Sequence, residues 1–190
     1  MVRRTRILDH SPAPVEIVGS YRPAISPTPA PSRRYHGAVS EVVYLDPCCL
    51  KRPFDDQRST RIQLETAAIA GLIAQAEREA IRLVRSPAHA LENDRNPRED
   101  RRLAAAIWID AAQVTVEFGE RVASRSGKLA GLGFGPLDAL HAAFAEEAGA
   151  RWLVTTDDRL IALGQRHRAA LGVEITSPMR LLEILPGGEP

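Results

Sequence analysis

Apolar and polar positions change period several times along the chain, and each change marks an element. After Glu41, the unbroken run Val42, Val43, Tyr44, Leu45 is β-branched and apolar, which predicts a buried central strand. It closes at Asp46-Pro47, because proline cannot donate to a sheet ladder. From about Thr60 to Ala80 a long helix is predicted, with Ile62, Leu64, Ala68, Ile69, Leu72 and Ile73 on its apolar face. Ile81 to Val84 reads as a short second strand. Ser86-Pro87 then supplies an N-cap and a first-turn proline for a helix carrying His89, Glu92 and Asn93. Pro97 opens another helix, with Arg98, Arg101 and Arg102 outward and Leu103, Ala106, Ile107 and Ile109 inward. Val114, Val116 and Phe118 alternate with Thr115 and Glu117, the pattern of a half-buried strand.

A polar helix from Glu120 to Ala130 leads into the most informative stretch, Gly133 to Ile161. Pro136 suits a first helical turn, where its missing N–H needs no partner. Leu137, Leu140, Phe144 and Ala148 follow at three- and four-residue spacing, and Gly149 stands where a C-cap belongs. Trp152, Leu153 and Val154 make a buried strand, too short for a helix. Thr155 to Asp158 leave its end and start a helix through Arg166. A weak strand at Val173 to Ile175 and a short helix near Met179 to Ile184 complete the pattern. There is no internal repeat. The order β-α-β-α-α-β-α-α-β-α-β-α predicts an α/β protein of three α/β/α layers, a mostly parallel sheet of about five strands with helices on both faces.

Composition adds limits. A chain of 190 residues, 44% hydrophobic and 26% charged, fits one soluble globular domain. No run approaches membrane-spanning length and no leader of the signal type begins the chain. Cys48 and Cys49 are adjacent and cannot staple distant segments, so a reducing, cytoplasmic setting is expected. They are also too few for a zinc site. Residues 1–40 hold six Arg against Asp9 and Glu16, with six of the fourteen prolines. That composition suits an extended or disordered tail, one that either touches nucleic acid or has no role. The domain proper is expected over 41–186, with 187–190 as a short C-terminal tail.

The chemistry lies in where acids fall. Asp46 and Asp157 follow strands, Asp138 lies in a first helical turn, and Glu92 sits on the short helix after the second strand. Each alone reads as a cap or a partner of a helix dipole. Together they are candidates for one cleft, because parallel strands all end at one edge of a sheet and ligands bind there. Carboxylates gathered so repel one another unless protonated or bridged by cations. Hard oxygen ligands suit Mg²⁺ or Mn²⁺, and such sites perform phosphoryl chemistry.

Four stretches, VVYLD ending in Asp46, HALEND around Glu92, PLDALHAA around Asp138 and LVTTDDRL around Asp157, resemble a PIN-domain ribonuclease, the fold of VapC-like toxins. The resemblance spans about Val42 to Leu185. It implies a divalent-metal-dependent endoribonuclease hydrolysing RNA phosphodiester bonds, with Asp46, Glu92, Asp138 and Asp157 as catalytic metal ligands for Mg²⁺ or Mn²⁺. Thr155 is then a polar residue of the metal shell and Asp158 an alternate for Asp157. It further implies an RNA substrate, an antitoxin partner and a homodimer, without membrane association. The chain departs from many relatives at Pro47-Cys48, where a small polar residue and then Asn or Ser are usual. The rival within the fold is a catalytically silent protein- or RNA-binding module. A phosphoaccepting receiver is excluded because neither Lys51 nor Lys128 is placed for it, and a haloacid-dehalogenase-type phosphatase because Asp46-Pro47-Cys48 lacks the second acid. His141 is expected to pack beside its helix start, His89 to lie at the surface, and Arg95, Arg98, Arg101 and Arg102 to hold RNA phosphates or to form a solvated face.

Overall fold

The hydrophobic runs become five strands, all paired in parallel, in the order β3-β2-β1-β4-β5. They are β1 (Glu41–Leu45), β2 (Ile81–Arg85), β3 (Val114–Thr115), β4 (Trp152–Val154) and β5 (Glu174–Thr176). The computed structural model describes residues 40–185; the expected tails at 1–40, but for Ser40, and at 187–190 lie outside the described residues. Among the described residues, eight α-helices connect and flank the strands: α1 (Pro47–Lys51), α2 (Thr60–Glu77), α3 (Pro87–Asp94), α4 (Glu99–Asp110), α5 (Glu120–Gly131), α6 (Pro136–Glu147), α7 (Asp158–Arg166) and α8 (Pro178–Ile184).

Strand side chains alternate between two cores, which makes the three layers. Tyr44, Val84, Leu153 and Ile175 pack with Val122, Leu129, Phe144 and Leu160 of α5, α6 and α7. Val43, Leu45, Ile81, Leu83, Trp152 and Val154 pack with Ile69, Leu72, Ile109 and Leu181 of α2, α4 and α8. Gly149 has φ of +66°, a left-handed conformation that glycine adopts without a Cβ penalty, and it turns the chain from α6 into β4.

Three sequence expectations are corrected. On α4 the apolar stripe is rotated: Ala105 and Ile109 face inward, while Leu103 and Ile107 are 62% and 66% exposed. Apolar residues surround most of that helix, so their spacing does not fix its phase, and small Ala105 gives the closer approach. The strand expected through Phe118 ends at Thr115; Val116 is still buried, but Phe118 is exposed. His89 is buried rather than at the surface, for reasons given below.

Among the described residues, no helix is long and apolar enough to cross a membrane.

Candidate metal centre

The strand order sets the location. From central β1 the chain moves to β2 and β3, then returns to the other side of β1 as β4 and β5. The crevice beyond the strand ends, where this direction reverses, lies between β1 and β4. Leu45 is in register with Val154, and the Asp46 N–H donates to the Val154 carbonyl at 2.9 Å. Asp46 and Thr155 therefore leave the sheet side by side.

Asp46 caps α1, where Pro47 occupies the first turn. One carboxylate oxygen accepts the Cys48 N–H at 3.2 Å and the other accepts the Thr155 hydroxyl at 2.7 Å. Thr155 Oγ1 also accepts the Asp157 N–H at 3.1 Å, so the two strand ends are tied together. The Cys48 sulfur lies 3.2 Å from Thr155 Oγ1 and accepts from the Thr156 N–H at 3.3 Å.

Glu92 reaches the same place from α3. Its Oε1 accepts from Lys51 Nζ at 2.9 Å and its Oε2 meets His141 Nε2 at 3.0 Å. Burial works to raise the Glu92 pKa, but the hydrogen bonds from His141 and Lys51 prevail and bring it down to about 2. The carboxylate is thus an acceptor only, and His141 donates through Nε2. His141 Nδ1 then accepts from the Tyr44 hydroxyl at 2.7 Å, which in turn accepts from Ser86 Oγ at 2.7 Å. A buried chain Ser86–Tyr44–His141–Glu92 fixes the glutamate from behind. His89 stacks on Tyr44 with ring centroids 4.5 Å apart and is held between the Ser86 N–H and the Leu45 carbonyl.

Asp138 projects from the first turn of α6 and is half-buried. Its pKa is raised, first by burial and then by the charges of Asp46 and Asp157, with a smaller contribution from Glu92 against the opposing pull of His141. Three other acids therefore act on the Asp138 carboxyl. Asp157 is exposed and caps α7, its Oδ1 accepting the Arg159 and Leu160 N–H groups at 2.8 and 3.4 Å. Single oxygens of Asp46 and Glu92, with a ring nitrogen of His141, lie within 4.8 Å of one another, close enough to share a cation.

Asp158 is turned elsewhere: both oxygens bind Arg61 at 2.7 Å. Arg61 also holds Glu65, which Arg52 approaches at 2.9 Å from the other side. Asp55 lies between Arg52 and Arg101, each at 3.0 Å. The charged loop after α1 is therefore a structural clasp. The same contacts engage the arginines considered for RNA: Arg101 grips the loop, Arg98 pairs with Asp100, and Arg102 donates to the Asn96 carbonyl. Spacing alone could not reveal Lys51, Tyr44 or Ser86 as parts of this site, since Lys51 and Ser86 stand outside the acidic motifs and Tyr44 reads within VVYLD only as a buried strand residue.

The family model of the PIN domain matches residues 53–165, more than half of the chain. The chain belongs to the PIN-domain family. PIN domains are generally nucleases, which agrees with acids gathered at the sheet edge. Among solved structures, this PIN domain is similar to a chain in the crystal structure of VapBC2 from Rickettsia felis bound to a DNA fragment from their promoter. Identity is 12% and the TM-score 0.47, covering 72% of this chain and 98% of that one. No curated protein matches the sequence.

Proposed function

We propose that the chain is a divalent-metal-dependent endoribonuclease whose ion is held by Asp46, Glu92, Asp138 and Asp157. The observation that supports this reading best is the convergence at the strand ends: oxygens of Asp46 and Glu92 lie within 4.8 Å of each other, and half-buried Asp138 feels the charges of Asp46, Asp157 and Glu92. The donor set is carboxylate oxygen throughout, the chemistry that fits Mg²⁺ or Mn²⁺. Each Glu92 oxygen gives one lone pair to Lys51 or His141 and keeps a second for a cation. When bound, the ion supplies the Lewis acid that activates water and offsets the charge of the transition state. Thr155 holds Asp46 in place, and the Ser86–Tyr44–His141 chain does the same for Glu92. Asp157 is favoured over Asp158, since both oxygens of the latter are turned toward Arg61 of α2. RNA as substrate, a toxin role, the antitoxin and the homodimer rest on the family resemblance.

The test is incubation of the purified chain with single-stranded RNA and DNA oligonucleotides of mixed sequence, with Mn²⁺ or Mg²⁺ and with chelator. Metal-dependent internal cleavage of RNA is expected; intact RNA at all metal concentrations would leave the binding-module reading in its place.

A second prediction concerns Gly135, the N-cap of α6. A Cβ built there would stand 2.9 Å from Asp138 Oδ2, while φ of −59° suits alanine. Gly135→Ala is therefore expected to fold normally but to displace the Asp138 carboxylate, slowing cleavage on the order of tenfold. Unchanged cleavage rates would show that Asp138 needs no fixed position.

A further inference from the structure

Lys51 brings a fixed positive charge into the cleft. It is the last residue of α1, its side chain only 17% exposed, and its Nζ lies 2.9 Å from Glu92 Oε1. Arg52, Arg61 and Arg101, on the flanking elements, are each held by carboxylates of the loop, α2 or α7. Lys51 differs. An ammonium has three N–H donors, and among the described residues Glu92 is its one acceptor. Two donors remain, beside oxygens of Asp46 and Glu92 that could share a cation.

A mere tie for Glu92 would duplicate what exists, since His141 already holds its other oxygen at 3.0 Å. A partly buried ammonium beside Glu92 has a second use. In phosphodiester hydrolysis the phosphoryl oxygens gain negative charge as one P–O bond forms to water and another breaks, and fixed cations stabilise that charge. Sites with two divalent ions place the second ion in this role.

We propose that Lys51 is a catalytic residue of this nuclease, its ammonium binding a non-bridging oxygen of the scissile phosphodiester in the place of a second divalent ion. The inference rests on the nuclease reading above and adds to it a one-ion site. Lys51 contributes charge, while water supplies the attacking oxygen and the proton for the departing one.

The experiment compares wild type, Lys51→Met and Lys51→Arg by calorimetric titration with Mn²⁺ in the absence of nucleic acid, and by RNA cleavage at saturating Mn²⁺. Wild type is expected to take one Mn²⁺ per chain. Lys51→Met should bind Mn²⁺ at least as tightly, because a positive neighbour is gone, yet cleave about 10²- to 10³-fold more slowly. Lys51→Arg keeps the charge and should stay within about tenfold of wild type. Two Mn²⁺ per wild-type chain would overturn the proposal, as would cleavage by Lys51→Met within twofold of wild type. Loss of Mn²⁺ affinity in Lys51→Met would overturn it too, by making Lys51 only a tie for Glu92. A wild type that binds no Mn²⁺ would defeat the nuclease reading itself, and this proposal with it.

Discussion

Taking the metal-free chain from pH 7 to pH 4 is expected to cost about 3 kcal/mol of folding stability through His89 alone. The ring is buried, and its pKa is pushed down from 6.5 to about 4 by that burial and by neighbouring His141, with the Leu45 carbonyl working the other way. The contacts fix the neutral form. Nδ1 accepts the Ser86 N–H at 3.1 Å, so the proton sits on Nε2 and is donated to the Leu45 carbonyl at 2.8 Å. Because the folded pKa lies below the unfolded one, the stabilisation is complete above pH 6.5 and declines as pH falls toward 4. Asp138 acts with the opposite sign, since its raised pKa favours the folded state once it is protonated. Urea melts of wild type and His89→Gln at several pH values separate the two. The wild-type midpoint should fall much more steeply between pH 6.5 and 4, whatever the variant loses at neutral pH. Equal slopes would show that His89 does not carry the acid sensitivity.

His89 also shows where the sequence was silent. Its position one turn before Glu92 suggests a surface residue, because the spacing of α3 cannot show that Tyr44, on β1, will cover the ring. The strands themselves were legible. The run at Val42–Leu45, the stop at Asp46-Pro47 and the short apolar Trp152–Val154 state their burial locally, and their pairing follows from a parallel sheet. Asp46 and Asp138 were legible for the same reason, each at a junction that proline marks. Lys51 was not, since its meaning lies in a glutamate 41 positions away. The same holds for Tyr44 and His141, 97 positions apart. The arginines of α4 looked like an RNA-binding face because charge on a helix says nothing of its partner; Arg101 proves to be bound to Asp55.

Asp138→Asn tests the central claim. The substitution keeps the size of the side chain and removes one charge from a group of four. If Asp138 serves only the α6 first turn, little changes. If it holds a divalent ion, cleavage should fall on the order of 10³-fold, equivalent to about 4 kcal/mol of lost transition-state stabilisation. Without metal, the variant should be as stable as wild type or more so, because the repulsion that raises the Asp138 pKa is relieved. A cation that binds only the folded chain stabilises it by about 2.7 kcal/mol at a hundredfold excess over its Kd. For a chain of this size that corresponds to a rise of about 5–10 °C in melting temperature. The decisive measurement sets wild type beside Asp138→Asn, each scored for RNA cleavage and for melting temperature with and without Mn²⁺. A metal-dependent rise and cleavage in wild type, both largely lost in the variant, are the predicted result. Full cleavage by Asp138→Asn, or no Mn²⁺-dependent shift in wild type, would contradict the assignment of this acidic cleft as a metal-dependent nuclease site.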